Sequence, residues 1–415
     1  MSFDPDAYLD SLEPIGWRLG LERMHRLSTA LGLPQHRFAS VHVVGTNGKS
    51  SVTRMVAALL EAHGVGSGAC LSPHTEHWSE RTLIHGEEVG AGEWADAVER
   101  VARAAEGVDR SLEEGEAVTQ FEAATAATFV ALASARVKAA AIEAGLGGRL
   151  DATNTIPSRV TVLTSVGRDH TEWLGETELE IAAEKLAVLR DQTTLVLGRV
   201  SAEVAALAER TAAAHGARLL RAPEDPGPRY RLLAPGSFQR RNFALAMTAA
   251  EAFLGELDPE RVERVAATVS VPGRLERIAA DPPTFLDAAH NPDGAAALAE
   301  ALPAASGGRR VVACLAVLAD KDAPAMVRAL APALERAVCT ELPRAALLAQ
   351  GRPGARSRPA AELVAACGEA GLEAEAEPDF GRALARARAL ASEPPAGVVL
   401  VTGSHYAIAP ARAAL

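Results

Sequence analysis

The stretch Val41-His42-Val43-Val44-Gly45-Thr46-Asn47-Gly48-Lys49-Ser50-Ser51 runs from an apolar, β-branched segment through a glycine turn into Lys and hydroxyl residues, where a helix begins. That order of strand, Gly-rich turn and helix N-terminus builds a phosphate cradle: backbone N–H groups face an anion and the helix end favours negative charge. Lys49 supplies a point charge for the β/γ-phosphates, and Ser50 or Ser51 can reach phosphate or Mg²⁺. The first glycine of the strict P-loop pattern would fall at Val43, so this turn is a variant.

Outward from the turn, helical and strand periods alternate. Gly20 to Leu31 and Ser51 to His63 have apolar residues at helical spacing, as do Ala123 to Leu132 and Glu178 to Leu189. Ser40 to Val44, Ala139 to Ile142, Val160 to Thr164 and Thr194 to Leu197 read as buried strands. Such a βα rhythm predicts an α/β fold with a mostly parallel sheet covered on both faces. Punctuation at Val271-Pro272-Gly273 sets an expected division into 1–271 and a smaller domain, 272–415. In the second part Thr284 to Leu286, Arg310 to Ala316 and Val398 to Val401 read as strands and Ala323 to Leu334 as a helix, while Leu342 to Ser357 reads as loop.

Composition narrows the function. The chain has 415 residues, 48% of them hydrophobic and 23% charged, enough for two cores, and its formal charge of -11 argues against a nucleic-acid backbone as partner. The four cysteines show no paired spacing and read as reduced thiols. Met1 to Asp10 carries acids without an apolar stretch, and no apolar run is long enough to span a bilayer, so the expectation is a cytoplasmic protein without a membrane partner.

Further residues carry chemistry. Glu143, in Ala141-Ile142-Glu143-Ala144-Gly145-Leu146-Gly147-Gly148-Arg149-Leu150-Asp151-Ala152-Thr153-Asn154, ends an apolar strand, where α/β folds open their ligand crevice and a carboxylate suits a hard cation. His170, in Val166-Gly167-Arg168-Asp169-His170, reads from chemistry alone as readily as a satisfied surface histidine. Lys185 falls on a helix and reads by periodicity as solvated, and Phe121 reads equally as core.

Together these motifs resemble the folate branch of the Mur ligase superfamily: GTNGKS after a strand, Ser72-Pro73-His74 with Glu80-Arg81, the GLGGRLDATN block, Phe121-Glu122, the IAAEK segment around Lys185, and Leu286-Asp287-Ala288-Ala289-His290-Asn291-Pro292. The resemblance implies a P-loop, Mur-ligase-like ATPase domain followed by a Rossmann-like α/β domain. It implies an ATP-dependent ligase that joins L-glutamate to a pteroate or folate carboxylate through an acyl phosphate, usually as a monomer. Nucleotide binding would fall to Gly45, Thr46, Asn47, Gly48, Lys49, Ser50, Ser51, Asn242, Arg274 and Asp287. Mg²⁺ would be held by Ser72, Glu143, His170 and Lys185, the lysine after carbamylation by CO₂, which demands an amine with a depressed pKa. The pterin or folate would meet Phe121, Glu122, Ala123, Ala124, Arg149, Leu150 and Asp151, and glutamate would meet His290 and Ser404. Asp320-Lys321-Asp322 fits a family turn and otherwise reads as a charged loop.

Overall fold

The computed structural model describes residues 3–13, 20–349 and 354–415. Compactness divides it into two units: Met1–Arg231 with Arg240–Val269, and Leu232–Gln239 with Ser270–Leu415.

The first unit is built on eight strands: β1 (Ala39–Val44), β2 (Ser67–Cys70), β3 (Thr82–Ile84), β4 (Glu87–Glu88), β5 (Ala139–Glu143), β6 (Ser158–Leu163), β7 (Thr194–Leu197) and β8 (Arg218–Arg221). Their order is β4-β3-β2-β5-β1-β6-β7-β8. All pairings are parallel except those of β3, which runs antiparallel to both β2 and β4. β1 therefore lies inside the sheet, covered on both faces, which is why Val41, Val43 and Val44 are wholly buried and the strand reads as a continuous apolar run. On one face Met24, Leu27, Phe129, Leu132 and Ile142 share a core; Val44, Leu163, Leu186, Leu195 and Val204 share another. Each such side chain contributes roughly 1.5–3 kcal/mol by leaving water.

The helix Gln120–Ser134 is buried on every side as far as Leu132. Its start is fixed by a capping box: the Thr119 N–H and hydroxyl both donate to Glu122 at 2.9 Å. Glu122 also accepts from Arg23 Nε at 3.1 Å, tying this helix to Glu22–Ala30 through an ion pair that is nearly dry.

In the second unit the strands are β9 (Glu276–Ala280), β10 (Pro283–Leu286), β11 (Val311–Leu315), β12 (Arg336–Cys339), β13 (Glu373–Ala376) and β14 (Val398–Thr402), ordered β13-β12-β11-β14-β10-β9. Only β9 is antiparallel, paired with β10 at the edge. The unit also takes in Leu232–Gln239, upstream of Pro272, because Phe238 packs on its core and the Ser237 hydroxyl donates to Glu300. Two local expectations shift. The segment Leu342 to Ser357 contains a short helix, Arg344–Ala349, and its residues 350–353 lie outside the described part. The Asp320-Lys321-Asp322 turn has a structural use, since the Asp322 carboxylate accepts from Ala325 N at 3.0 Å and caps the helix Ala323–Leu330.

Removing Arg23 leaves the Glu122 carboxylate buried without its cation. Arg23→Ala is expected to lower the stability of the first unit by about 3 kcal/mol, read from urea unfolding; a loss under about 1 kcal/mol would mean the pair is not electrostatically important.

Candidate active site

At the carboxyl end of β1 the turn is packed too closely at Gly45 and Gly48 to admit a Cβ. A Cβ on Gly45, whose φ is +149°, would stand 1.9 Å from Thr164 Oγ1, and one on Gly48 (φ +85°) 2.7 Å from Asn242 Oδ1. The segment after β6 braces the turn: Thr46 N donates to Ser165 O (2.8 Å), Asn47 N to Ser165 Oγ (3.0 Å), Thr164 Oγ1 to Asn47 O (2.7 Å), and Gly167 N to Thr46 Oγ1 (3.1 Å). The helix Lys49–Ala62 then starts from Gly48 with no side chain capping it, so its first-turn amides keep the donor capacity that suits an anion. Lys49 Nζ curls back to Thr46 O at 3.2 Å.

Glu143 closes β5 in register with Val43 and is buried. Its two oxygens accept from Ser50 Oγ at 2.8 Å and from Ser72 N at 3.0 Å, which brings the phosphate turn, the strand-end acid and the Ser72 loop to one point. Of the two serines left open by sequence, Ser50 reaches the acid whereas Ser51 is buried. The Ser72 loop is held by Glu80, which accepts from Thr75 N, Thr75 Oγ1, Glu76 N and His77 N. Beside it Arg81 Nε donates to His74 Nδ1 at 3.0 Å and the Arg81 guanidinium stacks over Trp78.

Lys185 is not solvated. Its helix, Glu178–Leu186, turns it inward, and Nζ donates to Gly45 O at 2.9 Å. Burial first, and the nearby Lys49 charge second, pull its ammonium down from 10.5 to about 7 against the opposing pull of Asp169 and Asp151. Gly148 permits this packing, because a Cβ there would stand 2.7 Å from Glu184 O and 3.0 Å from Lys185 O. His170 follows Asp169 in the left-handed conformation (φ 53°) at the start of the turn Thr171–Leu174, and its N–H donates to Asp169 Oδ1 at 3.0 Å.

The expected pterin residues divide. Phe121 lies against Gly145, where a Cβ would come within 2.5 Å of the ring. Arg149 pairs with Glu184 at 2.9 Å and Leu150 is exposed. Glu122, Ala123 and Ala124 face inward, Glu122 engaged by Arg23 and Thr119 and the alanines packed in the core beside Phe121, because their helix is surrounded by protein. Asp151 also turns away from solvent, its carboxylate accepting from Leu146 N (2.8 Å), Thr153 N (3.0 Å) and Thr153 Oγ1 (2.5 Å), with burial raising its pKa.

In the second unit Asp287 follows β10 and Ser404 follows β14, neighbouring parallel strands, so both sit at carboxyl ends. Asp287 accepts from Leu275 N and Ala289 N, both at 2.8 Å; burial raises its pKa while Arg274 opposes the shift. His290 Nδ1 lies 2.9 Å from Ala288 O, and the Ser404 hydroxyl accepts from Tyr406 N.

Residues 43–221 match the family "Mur ligase middle domain" and residues 273–405 "Mur ligase, glutamate ligase domain". The dihydrofolate synthase/folylpolyglutamate synthase of Mycobacterium tuberculosis is 35% identical over 77% of this chain and 74% of its own. The chain belongs to the folylpolyglutamate/dihydrofolate synthase branch of the Mur ligases. Among solved structures, this Mur ligase is similar to the M. tuberculosis folylpolyglutamate synthase complexed with ADP and AMPPCP (TM-score 0.87, 32% identity, 95% of each chain). It is also similar to a bifunctional folylpolyglutamate synthase/dihydrofolate synthase with Mn, AMPPNP and L-glutamate bound (TM-score 0.80, 26% identity, 98% of this chain and 96% of that one).

Thr164, Ser165 and Gly167, which brace the turn, escaped the sequence reading; the only signal was their place at the end of the next strand. Among the described residues no three His, Cys, Asp or Glu side chains gather as a metal cage. The donor set at the turn nonetheless fits Mg²⁺, which is bound through one or two carboxylates together with substrate phosphates rather than by an all-protein cage.

The Lys185 amine also carries a pH signature. From about 7 to 10.5 the folded chain holds it neutral while the unfolded chain still binds the proton, so this group makes stability rise with pH across that window. Urea midpoints of the wild type relative to Lys185→Met are expected to climb between these limits, and a constant difference would contradict the burial of the amine.

Proposed function

We propose that this Mur ligase joins the amine of L-glutamate to the carboxylate of dihydropteroate and/or (poly)glutamylated folate, activating that carboxylate with ATP as an acyl phosphate and releasing ADP and phosphate. The observation that carries the reading is the meeting of Ser50, Ser72 and the phosphate turn on buried Glu143, with Lys185 Nζ on Gly45 O. Membership of the folate branch supports the acceptor class.

A carboxylate is a poor electrophile, so the amide requires prior transfer of the γ-phosphoryl group. Lys49 and the first-turn amides of its helix are assigned to the triphosphate, where they stabilise charge that spreads over the phosphoryl oxygens. Glu143, with Ser72 and His170, would hold Mg²⁺, which would supply charge neutralisation. Asn242, beside Gly48, is assigned to the nucleotide as well. Phe121, Glu122, Ala123, Ala124, Arg149, Leu150 and Asp151 are assigned to the acceptor, Arg274 and Asp287 to the nucleotide, and His290 and Ser404 to glutamate.

Lys185 is assigned a carbamate. Its neutral amine would add to CO₂ with loss of one proton, leaving a carbamate anion suited to a second Mg²⁺. Support comes from its lowered pKa, which keeps a large fraction of the amine uncharged near neutrality. We assign the enzyme to the cytoplasm as a monomer, in keeping with four buried, unpaired cysteines. No described helix is long and apolar enough to cross a membrane.

Phosphate release is expected to require MgATP, L-glutamate and a pteroate or folate acceptor together, with the product one glutamate heavier by mass spectrometry; silence with dihydropteroate, tetrahydrofolate and folate alike would end the assignment. Lys49→Met is expected to lower kcat/KM by roughly 10²–10³-fold. In ¹³C-bicarbonate the wild type is expected to give a carbamate resonance that Lys185→Met lacks, and an unlabelled wild type with full activity would exclude the modification.

A further inference from the structure

His42 lies within β1, three residues before Gly45, and is wholly buried. Its Nε2 stands 2.9 Å from Thr153 Oγ1, which stands 2.5 Å from Asp151 Oδ1. Proton counting sets the direction. A carboxylate whose oxygens already receive Leu146 N and Thr153 N acts as an acceptor, so the single hydroxyl proton of Thr153 goes to Asp151. Thr153 Oγ1 must then accept from His42, whose Nε2 carries the ring proton. Among the described residues the Nδ1 lone pair has no hydrogen-bond partner. Burial, and secondarily the Arg190 charge, push the imidazole down to about 3, so the neutral ring this pattern requires is the stable one.

We propose that His42, Thr153 and Asp151 form a buried positioning relay that fastens the acceptor loop, Gly145 to Asn154, to the strand carrying the phosphate turn, so that His42 is a positioning residue for the pteroate or folate acceptor. The proposal rests on the function assigned above. Asp151 is filled by its own loop, with Gly145 N adding to the donors already named, so it sets the course of the backbone. The loop has further fixed points: Gly145 on Phe121, Gly148 on the Lys185 helix, and Asn154, whose carbonyl and side chain both accept from Arg190. The nucleotide turn is braced separately, by Thr164, Ser165 and Gly167. An apolar residue would fill the space of the ring without an unpaired nitrogen; what the imidazole adds is a directed hydrogen bond onto Thr153.

The test separates acceptor from nucleotide. His42→Leu is expected to raise KM for dihydropteroate or tetrahydrofolate about tenfold or more while KM for ATP and L-glutamate stays within about twofold. His42→Gln, which keeps an N–H near the Nε2 position, is expected to restore the acceptor KM to within about threefold of wild type. Should His42→Leu fail to fold, Thr153→Val supplies the same test from the other end of the hydrogen bond. Selective ¹⁵N-histidine NMR is expected to show, among the eleven histidine rings, one that stays in the neutral Nε2–H form at mildly acidic pH, and that ring is expected to change its tautomer distribution in Thr153→Val. An unchanged acceptor KM, an equal rise in KM for ATP, or no rescue by Gln would overturn the relay while the wild type still ligates glutamate. A wild type that ligates no folate acceptor would instead overturn the function, and the relay with it.

Discussion

The phosphate turn leaves no space for a Cβ at Gly45 or Gly48, and the geometry around it follows from that constraint. With no Cβ, Gly45 lets the turn lie against Thr164, and the amides of Thr46 and Asn47 are spent on Ser165. Spending those donors internally fixes the turn and leaves anion binding to the uncapped first turn of the helix Lys49–Ala62. The same packing exposes the Gly45 carbonyl to Lys185, whose amine would otherwise have no partner so deep in the protein.

Around that turn, charge is arranged by burial rather than by net composition. The chain carries an excess of acid, yet the site collects Lys49 and Lys185 near Asp169 and Asp151. Burial disfavours the Lys185 ammonium first, and the neighbouring Lys49 charge adds to the effect. The lowered pKa of Lys185 is thus a consequence of where its helix docks, which depends in turn on Gly148 admitting the backbone of Glu184 and Lys185.

Parallel topology explains why the functional side chains cluster at element ends. In the first unit β1, β5 and β6 are adjacent and point the same way, so the residues leaving them, Gly45 to Asn47, Glu143 to Gly145 and Thr164 to Gly167, meet at one edge. The second unit repeats the arrangement on β10 and β14, which deliver Asp287 and Ser404 to a common edge. Residues inside a helix behave differently: Phe121, Ala123 and Ala124 all lie in the helix Gln120–Ser134 and pack into one core.

The sequence by itself determined the alternation of strand and helix, the phosphate turn, the strand-end acid and the family motifs, because each is a local pattern with a local physical cause: periodicity, glycine conformation, or a cap. Strand bounds such as Thr194–Leu197 were legible to the residue. Only the tertiary structure decided which polar groups face which. Periodicity alone read Lys185 as solvated, and it is buried on Gly45; Glu122 is matched to Arg23, 99 positions away; His42 read as one residue of an apolar strand and is bonded to Thr153, 111 positions away. Hydrogen-bond partners that distant in sequence are set by how sheets and helices stack, and no local pattern records that.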